Sequence, residues 1–239
     1  MKEQEFAIWL YGSCARGDVD RHSDRDVLVV GYAPPSELSF RLAPLGSGLS
    51  VSHHDWPEIV AMADYGSLFL HHLRLEGTCV FEPPGSLGRL TRLLGGLGPY
   101  TRARRDLKAF ELAMDDVRSA PRHLTTPQFE MTVLATVLRH SSVLGCYVTG
   151  APKFGRTDAF RSLSERWSIP PSVADDFTAL YRFRLYEEGR SEPPYQATWA
   201  HVDLWTAFAG CFLRCLEEEI HEYESRVLAA RSDGERSWR

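Results

Sequence analysis

The sequence predicts an α+β protein: a small mixed β-sheet domain over residues 1–85, then an α-helical bundle domain over residues 99–239. Two observations carry that division. Short apolar runs bounded by glycine fill the first third of the chain, whereas from Tyr100 onward apolar residues recur at helical spacing. Between the two textures lie Pro83-Pro84-Gly85 and the cluster Gly95, Gly96, Gly98 and Pro99, all breakers of regular structure. A chain of 239 residues has room for one large domain or two small ones.

Taken in order, Phe6–Tyr11 is a compact apolar run stopped by Gly12, as expected of a buried strand. Asp26–Val30, β-branched and ending at Gly31, is a second. Leu49–His53 alternates apolar and polar residues, the pattern of a half-buried strand. Asp55 then caps a helix, with Pro57 in its first turn and Glu58 at the spacing of a capping box. Ser67–Leu75 continues helically to Gly77, and Thr78–Phe81 is a last short strand. In the second domain helices are expected over Tyr100–Ser119, Pro127–Val148, Asp158–Trp167, Ser172–Glu187 and Thr198–Leu228. Prolines and glycines fall between these segments rather than within them.

Composition narrows the function. Hydrophobic residues at 44% and charged residues at 25% fit a soluble globular protein and exclude disordered and collagen-like chains and membrane bundles. A net charge of −5 argues against a protein built for electrostatic nucleic-acid binding, though it leaves room for a local basic patch. Five scattered cysteines, an odd number, argue against a disulfide framework. The start of the chain lacks the pattern of a signal peptide, and no apolar run is read as approaching the ~20 residues of a membrane span. The expected setting is reducing and cytoplasmic.

One segment carries chemistry: Leu10-Tyr11-Gly12-Ser13-Cys14-Ala15-Arg16-Gly17, then Ser23-Asp24-Arg25-Asp26-Val27-Leu28-Val29-Val30. A strand ends at Gly12-Ser13, where the missing Cβ lets backbone amides approach a ligand. The short helix expected to begin there favours phosphate at its N-terminus. Asp24 and Asp26 are two apart at the start of a strand, so both carboxylates project from one face. Two hard oxygen ligands beside an anion-binding turn suit magnesium and a nucleoside triphosphate, arranged for displacement of pyrophosphate.

These residues resemble the signature of the polymerase-β-type nucleotidyltransferase superfamily: Gly-Ser after an apolar strand, then Asp-x-Asp followed by apolar residues. The fuller form, Gly-Ser-x-Ala-Arg-Gly…Ser-Asp-x-Asp, is similar to its small bacterial branch, the minimal nucleotidyltransferases, which includes aminoglycoside-modifying enzymes. The resemblance covers residues 6–81. It implies transfer of a nucleoside monophosphate from a magnesium-bound nucleoside triphosphate to a hydroxyl, in a cleft between the two domains. Gly12 and Ser13 are then expected to hold the triphosphate, and Asp24 and Asp26 to hold Mg2+ as the catalytic carboxylates. Arg16 and the loop residue Lys153 are further candidates for phosphate contact, as are Arg182 and Arg184, against the alternative of plain surface charge. Arg25 stands where the family usually has an apolar residue and is expected to be a structural salt-bridge partner.

The pattern also departs from the family, which usually carries a third carboxylate on a later central strand. Here that strand reads Leu49-Ser50-Val51-Ser52-His53, with serine at both matching positions. Asp55, His53 and His54 stand nearby, either as a polar strand exit or as a source of the base. A catalytically weakened nucleotide-binding regulator or antitoxin-like partner is therefore the alternative reading. Elsewhere, Arg102, Arg104, Arg105 and Lys108 form either a solvated face or a polyanion contact, and His71 and His72 are expected to pack. Cys211 and Cys215 share a helix face, but no further Cys/His pair is spaced for zinc. Arg214 and His221 resemble the loose Arg-x6-His ribonuclease motif of HEPN-type helical domains, a less favoured alternative. The residues do not specify the acceptor, be it a small molecule, protein or RNA. The apolar last helices make a homodimer a candidate assembly.

Overall fold

The apolar runs of the first third pair into one four-stranded sheet of order β3-β2-β1-β4. Its strands are β1 (Ala7–Tyr11), β2 (Arg25–Val30), β3 (Leu49–His54) and β4 (Thr78–Phe81). The computed structural model describes residues 6–17, 25–82 and 88–236, and the chain divides into two units, Met1–Thr101 and Arg102–Arg239.

In the first unit β1 runs antiparallel to both β2 and β4, while β2 and β3 are parallel. A single helical turn, α1 (Ser13–Arg16), follows β1, and α2 (Pro35–Leu42) supplies the crossover that a parallel β2–β3 pair requires. On one face Ala7, Trp9, Leu28 and Val30 pack against three helices: α3 (Trp56–Asp64), α4 (Leu68–Glu76) and α5 (Arg89–Gly95). Ile59, Leu70, Leu73, Leu90 and Leu94 are the helical side of that core. On the other face Phe6, Ile8, Val27 and Val29 pack with Leu38 and Leu42 of α2. Because both faces are covered, β1 and β2 read as unbroken apolar runs rather than alternating ones.

Two helices, α2 and α5, were not legible in the sequence. Pro35 sits in the first turn of α2, where its fixed φ suits a helix start. α5 runs into the glycine cluster that reads as a break, ending at Gly95, yet Leu90 and Leu94 complete the sheet core. The first unit therefore runs on to Thr101, whose N–H donates to the Tyr65 carbonyl at 3.0 Å. The capping box at α3 forms as its spacing predicts. Asp55 Oδ1 accepts from the Glu58 N–H at 2.7 Å, and the Asp55 N–H donates to Glu58 Oε2 at 2.9 Å.

The second unit is helical: α6 (Ala103–Ser119), α7 (Pro127–Val148), α8 (Asp158–Arg166), α9 (Pro171–Glu187) and α10 (Trp199–Arg236). α7 is the central element and packs against the other four. Thr126 caps it, accepting from the Phe129 N–H at 3.2 Å, with Pro127 in the first turn. Contrary to the sequence reading, α7 is long and apolar enough to cross a membrane by length and composition. Within the structure 67% of its most apolar window is buried, the profile of a core helix. A Cβ on Gly145 would meet Leu163 Cδ1 at 2.5 Å, so glycine there lets α8 approach closely. Phe160 stacks on Phe177 and Phe212 at ring-centroid distances of 4.1 and 5.4 Å and anchors α8 to α9 and α10.

Candidate active site

β1 ends at Tyr11 and the backbone turns at Gly12, with φ 73° and ψ −151°. Only glycine adopts that conformation readily. A second requirement coincides with the first: a Cβ on Gly12 would lie 2.6 Å from Asp26 Oδ2. The Asp26 carboxylate is thus seated directly against the turn. From Ser13 the chain makes α1, closed by the Arg16 N–H donating to the Gly12 carbonyl at 3.1 Å and ended by Gly17 at φ 79°.

Strand register arranges the neighbours. Tyr11 pairs with Asp26 across β1–β2, and Asp26 pairs with Ser50 across β2–β3. Paired residues on adjacent strands share a face, roughly 4.8 Å apart. Tyr11, Asp26 and Ser50 therefore form a row, with Trp9, Leu28 and Ser52 as the next. The Tyr11 phenol reaches across the sheet to a long hydrogen bond with Ser52 Oγ at 3.5 Å. Burial pushes the Tyr11 phenol up in pKa; the Ser52 hydrogen bond works against this and the charge of Asp26 adds to it. Asp24, with Ser23, lies outside the described residues.

β3 brings serine, not a carboxylate, next to Asp26. The groups beyond it are engaged in structure. Asp55 caps α3, and His54 Nδ1 lies 3.3 Å from Glu58 Oε2. His53 pairs with Val29, on the opposite face from Asp26.

Sequence reasoning missed three residues that the fold brings to this turn: Tyr11, His72 and Glu76. Glu76 Oε2 accepts from Arg16 Nη1 at 2.5 Å and lies 2.8 Å from His72 Nε2. The His72 ring packs edge-on against Tyr11 at 5.6 Å. Burial alone would raise the Glu76 carboxyl pKa, but the hydrogen bonds from His72 and Arg16 and their charges hold it below the usual value. The available signal was the spacing of Phe69, His72 and Glu76, which puts all three on one helix face. Of the two histidines expected to pack, only His71 is a core residue, with Nε2 3.1 Å from the Gly98 carbonyl oxygen.

The remaining candidates separate. Arg16 carries the ion pair with Glu76. Arg25 donates from Nη1 to the Leu45 carbonyl, so its structural partner is backbone rather than the expected carboxylate. Lys153 is exposed in the loop after α7. Arg182 donates to the Glu192 carbonyl at 3.4 Å and Arg184 to Glu188 at 2.9 Å. In the basic run, Arg104 pairs with Glu224 at 2.7 Å and Lys108 with Glu111 at 3.1 Å, as on a solvated face. Arg214 and His221 are exposed on α10, and Arg214 Nη2 lies 3.1 Å from Cys211 Sγ. All five cysteines are free thiols.

Among the described residues no three His, Cys, Asp or Glu side chains converge as a metal cage. Magnesium is commonly held by one or two carboxylates plus substrate phosphates. Asp26, seated against the Gly12 turn, supplies one carboxylate whose chemistry fits that donor set.

A Gly-Ser turn seated on a strand carboxylate, in a small mixed sheet followed by a helical unit, defines a nucleotidyltransferase-type fold with a helical domain. Residues 1–65 match the family model described as "Nucleotidyltransferase domain". Over 89% of its length the chain is similar to 93% of the spectinomycin adenyltransferase AAD(9) from Enterococcus faecialis, crystallised with ATP and spectinomycin, at 12% identity and a TM-score of 0.50. That likeness is one of fold. No curated protein matches the sequence.

Proposed function

We propose that the protein transfers a nucleoside monophosphate from a magnesium-bound nucleoside triphosphate to an acceptor hydroxyl and releases pyrophosphate. The observation that carries this reading is the Asp26 carboxylate seated on the Gly12 turn. In it the backbone amides at Gly12 and Ser13 bind the triphosphate, since a glycine turn leaves them open to an anion. Asp24 and Asp26 would hold magnesium, which when bound with the nucleotide supplies neutralisation of phosphate charge. Arg16, on the helical turn that follows Ser13, is a further phosphate contact in this reading. The fold shared with an adenyltransferase makes ATP the first donor to test and a hydroxyl-bearing small molecule the first acceptor class. Five free thiols accord with a reducing, cytoplasmic setting.

The register of Ser50 beside Asp26 favours a second reading, in which nucleotide is bound but transfer is slow. A serine hydroxyl neither carries the charge of a third carboxylate nor accepts a proton readily at neutral pH. Calorimetric titration with Mg-ATP, run with a pyrophosphate-release assay over a panel of hydroxyl acceptors, separates the two. Binding with release supports transfer; binding without release supports the regulator; no binding removes both.

A further inference from the structure

We infer that Glu76 is a positioning residue for the Gly12–Ser13 turn: its carboxylate, shared by Arg16 and His72, is the strut that holds α1 in place. The inference rests on the nucleotidyl-transfer reading for what the turn binds; the strut itself is read from geometry. α1 is one turn of four residues, none of them buried. A helix that short has no stability of its own in water, and here no buried side chain anchors it. Glu76 lies 60 residues further on, at the end of α4, whose Leu70 and Leu73 are fully buried in the sheet core. The carboxylate therefore ties a weakly anchored turn to a firmly packed helix.

The tie is well sheltered. The Arg16 and Glu76 side chains are 22% and 15% exposed, which favours a strong charge-assisted bond over a solvated surface pair. His72, one helical turn before Glu76, meets the same Oε2 and orients it. His72 also packs edge-on against Tyr11, the residue preceding Gly12. Contacts thus close a ring: Tyr11, Gly12, α1, Arg16, Glu76, His72 and back to Tyr11. A turn enclosed this way presents its amides in a fixed direction, so the ordering cost of binding an anion is met beforehand.

The test is amide hydrogen exchange on the nucleotide-free full chain, followed at Arg16 and Gly17, whose N–H groups donate to the Gly12 and Ser13 carbonyls. Glu76→Gln is expected to speed exchange at these two amides by about five- to thirtyfold and leave the Leu28 and Val29 amides of the sheet unchanged. The same variant should weaken Mg-ATP binding by a similar factor, and Glu76→Asp, which keeps the charge, should restore most of both. Unchanged exchange at Arg16 and Gly17, equal acceleration through the sheet, or faster exchange with unaltered Mg-ATP affinity would each overturn the inference. If the wild type binds no Mg-ATP while the local exchange response stands, the strut is upheld and the nucleotidyl-transfer reading fails instead.

Discussion

The Asp26 carboxylate fills the space that a Cβ on Gly12 would occupy, with Oδ2 2.6 Å from that position. Turn and carboxylate are in this sense one piece, although 14 positions separate them in the chain. A side chain cannot be added at Gly12 without displacing the Asp26 carboxylate, and the proposed site inherits its geometry from that exclusion.

Gly12→Ala should accordingly cost twice, once for a side chain at φ 73° and once for displacing Asp26. Strain of this kind is worth about 1–3 kcal/mol, read as lost unfolding free energy in urea. Adding Asp26→Ala should recover the steric part of that loss but not the backbone part. Mg-ATP binding should fall with Gly12→Ala and remain low in the double variant.

Ser50 and Ser52 should respond differently to the same substitution. Ser50 pairs with Asp26, so Ser50→Asp places a third carboxylate beside it and should raise pyrophosphate release. Ser52 lies one row further on and meets the Tyr11 hydroxyl, so Ser52→Asp disturbs that contact without completing the site. A pyrophosphate assay on the two variants checks this, and gain from Ser52→Asp alone would mean the register argument is misplaced.

The strands were legible because both sheet faces are covered, which turns β1 and β2 into plain apolar runs bounded by Gly12 and Gly31. The long helices were legible because apolar residues recur at helical spacing within each, as Met131, Leu134, Ala135 and Leu138 do in α7, and the breaks between them hold proline or glycine. α2 and α5 were not, since each is short and begins or ends among residues that read as breakers. The Gly12–Asp26 pair was found through its motif, but its contact is a consequence of antiparallel register that spacing alone does not give. Glu76 was hidden for a related reason: its partner Arg16 is 60 residues away, and nothing local marks an acidic residue at a helix end as the far side of an ion pair.

Acid should act on this ion pair in a defined direction. The Glu76 carboxyl is held below its ordinary value of 4.5, so its contribution is full above that value and is lost as pH falls through the lowered one. Glu76→Gln should therefore be less stable than wild type at neutral pH. It should also lose less stability than wild type as pH falls below about 4.5, measured by urea unfolding at each pH.

The ribonuclease-like pair on α10 should be silent. Arg214 and His221 are exposed, and replacing both with alanine should change stability by no more than about 0.5 kcal/mol. Any RNA degradation by the wild-type chain should be unaffected. Loss of RNA cleavage in a folded double variant would revive that alternative.

The most direct test of the central claim is calorimetric titration of ATP, with and without magnesium, into wild type, Asp24→Asn and Asp26→Asn. Asparagine keeps the side-chain size and removes the charge that a cation needs. Charge-assisted contacts are roughly twice as strong as neutral ones, so magnesium-dependent affinity should drop by about tenfold or more in each variant. Binding without magnesium should be weak and alike in all three. Mg-ATP bound as tightly by the asparagine variants as by wild type would contradict the account, because the carboxylate seated on Gly12 would then hold no metal.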